Sequence, residues 1–164
     1  MYPRYERGVQ LLLDGGTGRV VEQFNSSGFS YASPLTVDLN NDTHDDALVS
    51  VNYAESSGTG RVMNQLIGYD FQNKKRLTHL GPLPGANFAI TPYVGDLDND
   101  GDVDVLFGSL TASTVRYPGV KAGHPVPKKT YFARQELSSL PLAAIRWGAY
   151  MGEKGDACFI RKDE

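Results

Sequence analysis

Short apolar runs separated by turn-forming residues make up most of this chain. The runs at 47–51 and 105–109 are apolar enough to form strands that are buried on both faces. Clusters of glycine, asparagine and proline stand between such runs, at 15–18, 72–75 and 81–85. No segment has a sustained helical period, and only residues 137–147 would allow a short helix. The pattern therefore predicts an all-β protein.

The chain also resembles itself at an offset of 58 positions, which places Asp38 over Asp96. The aligned segments are 33–42 with 91–100 and 46–49 with 104–107. Upstream of each, Asp14 and Asp70 begin a turn in which a basic residue follows the aspartate by five positions. A period shared by so many positions indicates a repeat architecture rather than chance.

Each repeat is predicted to hold four short antiparallel strands. These strands lie at 34–37, 47–51, 62–69 and 76–80 in the first unit and at 92–95, 105–109, 115–117 and 130–133 in the second. Units of this kind, slightly longer than the roughly 40–50 residues of common blades, predict β-propeller-type blades. The hairpin at 9–24 supplies the last two strands of a further blade, and strands at 146–150 and 157–160 supply the first two.

The predicted organisation is a single domain over residues 1–164 with about three blades. It divides into a half blade at 1–24, two blades with acidic loops at 28–80 and 86–134, and a degenerate half blade at 141–164. Closed propellers have about 4–8 blades. We therefore expect a partial propeller that is completed by self-association or by a longer protein.

Oxygen-bearing side chains recur at alternate positions of two loops, each of which leads into a predicted buried strand. Loop one is residues 38–46 and loop two is residues 96–104. The candidate metal ligands, at loop positions 1, 3, 5, 7 and 9, are Asp38, Asn40, Asp42, His44 and Asp46 in loop one and Asp96, Asp98, Asp100, Asp102 and Asp104 in loop two. At position 7 the ligand is the backbone carbonyl, so the ring of His44 is expected at the surface.

This spacing predicts two Ca²⁺ sites. A Ca²⁺ ion takes about 6–8 oxygen ligands, whereas Mg²⁺ favours a stricter octahedron and retains water. Carboxylates packed this closely repel one another unless a cation neutralises them. A solvated acidic turn without metal is the alternative reading of each loop.

The end of each loop excludes an EF-hand. That motif needs a bidentate Glu at position 12 and flanking helices, whereas Val49 and Phe107 stand there, inside strand-like runs. Gly101 at position 6 of loop two permits a sharp turn, and Thr43 replaces it in loop one. Because loop one also has Asn40 in place of an aspartate, we expect it to bind the ion more weakly.

The pattern Pro-x-x-x-Asp-x-[Asp/Asn]-x-Asp-x-x-x-Asp before an apolar strand resembles the FG-GAP/VCBS repeat, found in the integrin α-subunit β-propeller and in many secreted microbial proteins. The resemblance covers two repeats and a preceding half, residues 8–133. It implies an extracellular or secreted setting, Ca²⁺ ions that rigidify each blade, and a binding face made by loops between strands. Some members carry the repeats beside polysaccharide-degrading activity.

We therefore expect a calcium-binding, non-catalytic module that serves extracellular interaction, adhesion or structural assembly. The alternative is the repeat portion of a secreted carbohydrate-active enzyme, a polysaccharide lyase or hydrolase. The sequence has no zinc-protease motif, nucleophile elbow or phosphate loop, and its densest carboxylates are already assigned to cations. No catalytic residue is therefore predicted.

The composition and charge of the chain limit the kinds of partner that we expect. The net charge is −3 with scattered Lys and Arg, which argues against nucleic acid, and no apolar run is long enough to cross a bilayer. An extracellular protein or a glycan remains a possible partner. The residues considered for a sugar-binding face are Tyr31, Tyr53, Tyr93 and Tyr117, for each of which we favour packing in the core. Asn25 lies in a glycosylation pattern, and no secretory leader is recognised at the start of this sequence.

Overall fold

The computed structural model shows an all-β chain, as predicted. It describes residues 8–55, 61–88, 90–115, 124–141 and 145–147, which contain ten strands and no helix. The strands are β1 (Val9–Leu13), β2 (Val20–Asn25), β3 (Leu35–Val37), β4 (Asp46–Ala54), β5 (Val62–Asp70), β6 (Lys75–Pro84), β7 (Tyr93–Gly95), β8 (Asp102–Val115), β9 (His124–Pro141) and β10 (Ile145–Trp147). The short helix allowed at 137–147 is not formed where the chain is described, because β9 and β10 occupy this region.

The strands form three antiparallel sheets, none of which closes on itself. Sheet A has the order β1-β2, sheet B the order β10-β3-β4-β5-β6, and sheet C the order β7-β8-β9. In sheet B, β3 to β6 follow one another as a meander that contains all four predicted strands of the first repeat.

Sheet C differs from the predicted second blade. Its long strand β8 pairs directly with β9 from Asp102 to Val115, so the predicted strand at 130–133 is an inner part of β9. The predicted strand at 115–117 keeps only Val115 within the described residues. Strand β9 lies at the edge of its sheet, where prolines such as Pro125 and Pro127 are tolerated because a free edge needs no further ladder hydrogen bonds.

The described part of the tail joins sheet B instead of sheet A. Strand β10 pairs with β3, with Ile145 opposite Val37. A blade made from the N-terminal hairpin and the tail is therefore not formed by the described strands, and the predicted strand at 157–160 lies outside them.

Sheet B lies between the other two sheets and buries both of its faces. Leu35, Leu48 and Leu66 pack against Val105 and Phe107 of sheet C. On the opposite face, Val49, Val51, Ile67 and Tyr69 pack against Phe24 of sheet A. Adjacent residues of a strand point to opposite faces, so the prediction that 47–51 is buried on both sides is confirmed. Burial of each large apolar side chain contributes about 1.5–3 kcal/mol.

Two hairpin turns show the repeat at the level of the backbone. In the β1–β2 turn, Asp14 Oδ1 accepts a hydrogen bond from the Thr17 amide at 2.6 Å, and in the β5–β6 turn, Asp70 Oδ1 accepts one from the Asn73 amide at 2.7 Å. The fifth residue of each turn has positive φ, 69° at Gly18 and 55° at Lys74. The similarity that the sequence shows around Asp14 and Asp70 is therefore also a similarity of local structure.

Candidate metal centre

Loop one and loop two have the same hydrogen-bonded backbone. The carboxylate at position 1 accepts the amide N–H groups of positions 5 and 6, at 3.0 and 2.9 Å for Asp38 and at 3.2 and 3.1 Å for Asp96. The carboxylate at position 9 accepts the amide N–H of position 2, at 2.8 Å for Asp46 and 2.9 Å for Asp104. Two segments 58 positions apart thus fold in the same way around the same side chains.

Both loops turn sharply at the same two positions. Position 4 has φ of 56° at Asn41 and 61° at Asn99, and asparagine tolerates this left-handed region. Position 6 has φ of 71° at Thr43 and 96° at Gly101. A β-branched threonine is strained there, whereas glycine is not. The sequence difference between the two loops is therefore a difference in backbone strain.

Loop two brings three of its five predicted ligands together. One carboxylate oxygen from each of Asp96, Asp98 and Asp104 lies within 4.8 Å of the other two. Asp104 is buried, Asp96 half-buried and Asp98 exposed. The other two residues are outside this trio: Asp100 Oδ1 accepts the Asp102 amide N–H at 3.0 Å. Three carboxylates with one exposed member form an oxygen-rich site that opens to solvent, which suits a hard divalent cation.

A basic side chain from the neighbouring strand contacts this trio. Arg134 on β9 donates from Nε to Asp104 Oδ1 at 2.6 Å and from Nη2 to Asp98 Oδ2 at 2.5 Å. The hydrogen bond from Arg134 holds the pKa of Asp104 below its usual range, and the same bond raises the pKa of Arg134. The guanidinium group therefore neutralises part of the negative charge of this carboxylate cluster.

Loop one has an additional carboxylate beside it, whereas loop two has the arginine. Asp70, at the end of β5, is buried and accepts a hydrogen bond from Asn40 Nδ2 at 3.0 Å. Burial acts to raise the pKa of Asp70, but hydrogen bonds from Asn73 outweigh this effect and the pKa is lowered. Lys75 Nζ lies 4.0 Å from Asp70 Oδ2. Asp70 is therefore held ionised within reach of a predicted ligand of loop one.

Asp46 is the acid of loop one whose ionised form the folded protein disfavours. Burial raises the pKa of Asp46 to about 6, and the negative charges of Asp70, Asp42 and Asp38 add to this rise, although the Leu39 amide N–H opposes it. A pKa raised this far shows that the Asp46 carboxylate is buried among other negative charges, with too few positive or hydrogen-bonding groups to stabilise its ionised form.

The ring of the histidine in loop one lies at the surface. The His44 side chain is 56% exposed, and its Nδ1 lies 3.1 Å from the Asp42 carbonyl oxygen. Its amide N–H donates to Asp42 Oδ1 at 2.9 Å, as the Asp102 amide does to Asp100 in loop two. The ring is a surface group, as predicted.

The tyrosines differ from the expectation of core packing. Tyr31 is 61% exposed and Tyr93 is 40% exposed, so the prediction of burial is wrong for both. Tyr53 is half-buried at the end of β4, and Tyr117 lies outside the described residues. The exposed rings lie at the open ends and faces of the sheets, which the sequence pattern could not distinguish from covered ones.

The sequence pattern does not reveal the role of Arg134 or the contact made by Asp70. Arg134 is 30 positions from Asp104 and reaches it only because β8 and β9 pair with Leu106 opposite Arg134. Asp70 was noticed as the start of a turn, but its place beside loop one depends on the pairing of β4 with β5. The register of these hairpins was the missing information.

Comparison of the chain with models of known protein families, with curated proteins and with solved structures gives no match. No helix long and apolar enough to cross a membrane occurs in the described part of the chain.

Proposed function

We propose that this protein is a calcium-binding, non-catalytic module in which each acidic loop holds one Ca²⁺ ion. The proposal rests on the shared geometry of two loops in different sheets, which have the same set of carboxylate-to-amide hydrogen bonds. In loop two this geometry places three carboxylates within 4.8 Å of one another. This clustering has a cost in repulsion that a divalent cation would remove.

The proposed ions would stabilise the fold at one end of each central strand. Loop one ends where β4 begins, and loop two overlaps the start of β8. An ion that binds only the folded loop adds about 2.7 kcal/mol of stability at one hundred times its dissociation constant. Calcium at extracellular concentrations would suit sites of modest affinity, which agrees with the proposed extracellular or secreted setting.

The order of affinities for the two loops stays a prediction. The strained Thr43 and the neutral Asn40 favour weaker binding in loop one. Two other features act in the opposite direction, because Asp70 adds negative charge beside loop one and Arg134 competes for the carboxylates of loop two. Direct titration will decide which effect is larger.

We also propose that the stacked sheets are blades of a propeller that is completed by further copies or by a longer protein. Leu35, Leu48 and Leu66 of sheet B are fully buried by sheet C. The equivalent outer face of sheet C carries Tyr93 and Phe132, which are 40% and 63% exposed. The outer face of sheet A, with Val9 and Leu11, is likewise exposed. Exposed apolar side chains on both outer faces support packing against a partner.

Calcium titration tests the metal assignment. Protein stripped of divalent ions should take up two Ca²⁺ ions in a calorimeter and should melt at a higher temperature afterwards. Asp38→Ala should remove one site and Asp96→Ala the other. Asp14→Ala, in the exposed β1–β2 turn, is the matched control and should keep both sites. Equal melting temperatures with and without calcium, together with no heat of binding, would overturn the proposal.

A further inference from the structure

An aromatic residue recurs at equivalent points of two loops that lie before β3 and before β7. Each loop begins at a glycine, Gly28 or Gly85, where an added Cβ would collide with the carbonyl oxygen of Asn52 or Leu110. The next residue forms an isolated bridge to that same partner, Phe29 to Asn52 and Ala86 to Leu110. Asn52 and Leu110 are 58 positions apart and the two glycines are 57 apart, so the two loops are repeats of each other with a shift of one position.

Three residues after each glycine stands an exposed aromatic side chain. Tyr31 is 61% exposed and Phe88 is 49% exposed. Their ring centroids are 5.9 Å apart and their planes differ by only 19°, so the rings are nearly parallel. Phe29 packs its ring against Tyr31 at 5.2 Å in an edge-on arrangement. Both side chains are thus exposed at the point where loops from adjacent sheets meet.

A buried amide network fixes the loop that carries Phe88. Asn87 donates its amide N–H to Asn52 Oδ1 at 2.7 Å, and its carbonyl accepts from Asn52 Nδ2 at 2.8 Å. The Asn87 side chain donates to Ser50 Oγ at 2.9 Å and to the Ile90 carbonyl at 2.6 Å. Asn52, Asn87 and Ser50 are all almost completely buried. Phe88 therefore projects from a rigid support, which lowers the entropy lost when a ligand binds.

The two segments that carry the rings are neutral. Residues 28–34 and 85–92 contain no Asp, Glu, Lys or Arg, although 21% of the chain is charged. Stacking of nucleic-acid bases on aromatic rings relies on a basic groove that tracks the phosphates, and these segments supply none. A ligand with apolar faces and neutral polar edges fits both the rings and the exposed serine at position 33.

We propose that Tyr31 and Phe88 form a stacking platform for a neutral glycan. The pyranose ring has the required chemistry, because its C–H groups form an apolar face that packs on an aromatic ring while its hydroxyl groups remain hydrated at the rim. The platform gives the interaction module proposed above a class of partner, and it does not depend on the calcium assignment. Asn52 follows Asp46 by six residues along β4, so about 20 Å of strand separates the platform from loop one.

Affinity electrophoresis through gels containing neutral soluble polysaccharides tests this platform. The probes are a β-glucan, a xylan, a galactomannan and a xyloglucan, with an acidic pectin as comparison. At least one neutral probe should retard the protein, and Tyr31→Ala and Phe88→Ala should each weaken that binding at least tenfold. Val21→Ala removes an exposed apolar side chain from sheet A and should leave this binding unchanged.

Circular dichroism and melting temperature will show that each variant is folded. Failure of every neutral probe, retardation by pectin alone, or binding that survives both platform variants would overturn the proposal. The Asp96→Ala variant separates this result from the calcium proposal, since it should lose an ion and still bind the glycan. Glycan binding without any calcium uptake would contradict only the metal assignment.

Discussion

Loop one and loop two have the same backbone but opposite electrostatic neighbours. In sheet C, the residue paired with Leu106 is Arg134, whose guanidinium group contacts two carboxylates of loop two. In sheet B, the residue paired with the equivalent Leu48 is Gly68, which offers no charge. The charged group that contacts loop one from the adjacent strand is instead the buried carboxylate of Asp70. The repeat thus determines the shape of each loop, and the adjacent strand determines how its charge is balanced.

The two loops should therefore respond to pH in opposite directions when no metal is bound. The pKa of Asp104 is lowered in the folded protein, so its contribution to stability is present above the ordinary value of 3.8 and is lost as the pH falls through the folded pKa. The pKa of Asp46 is raised to about 6, so the contribution of Asp46 to stability is most favourable at low pH and becomes less favourable as the pH rises from about 4 through 6.

The largest expected effect comes from Arg134→Gln. In metal-stripped buffer this change leaves Asp104 buried without its cationic partner, and we expect the melting temperature to fall by on the order of 5–10 °C. Saturating calcium should remove most of the loss, because the ion takes over the role of the guanidinium group. Arg76→Gln is the matched control, since Arg76 donates a hydrogen bond to the neutral Asn25 carbonyl at 3.1 Å. Equal destabilisation with and without calcium would show that Arg134 has only a packing role.

A smaller effect of opposite sign is expected from Asp46→Asn. In metal-stripped buffer at pH 7 the variant should be more stable than the original by about 1–2 kcal/mol, after allowance for solvent screening at the loop. The gain should shrink as the pH falls and should vanish near pH 3, where the original acid is mostly protonated in both the folded and the unfolded state. Urea unfolding at the two pH values measures this difference. A gain that is the same at both pH values would contradict the charge explanation.

The smallest effects concern the turn at position 6. Gly101→Thr should cost about 1 kcal/mol because a β-branched residue is strained at φ of 96°. An added Cβ meets no atom within 4 Å there, so the cost comes from the backbone alone. Thr43→Gly should gain less than about 1 kcal/mol, because the greater freedom of glycine in the unfolded chain offsets the relief of strain. Chemical denaturation of both variants in metal-stripped buffer provides the measurement, and a loss of stability on Thr43→Gly would contradict the strain argument.

The features that depend on a few neighbouring residues could be predicted from the sequence. The double burial of 47–51, the turns of both acidic loops and the all-β class belong to this group. Each follows from local patterning or from the conformations that Asp, Asn and Gly allow. The trio in loop two was likewise contained in the predicted ligand set.

The features that depend on pairing between distant segments could not be predicted. Strand β9 was recognised over four residues only, because Pro125 and Pro127 interrupt its pattern and its place at a sheet edge was unknown. As a result Arg134 fell just outside the predicted strand. The pairing of β10 with β3 is equally non-local. Exposure of Tyr31 depends on where the stack of sheets ends, which no local pattern records.

The unequal outer faces of the stack have a geometric consequence. A second copy that lays its sheet A on the free side of sheet C hides one face of each molecule and leaves one of each still open. Such a head-to-tail contact joins two different faces, so each added copy leaves a free face to which the next copy can bind. The angle between successive sheets then decides whether the series returns to its first member as a ring or continues as a filament.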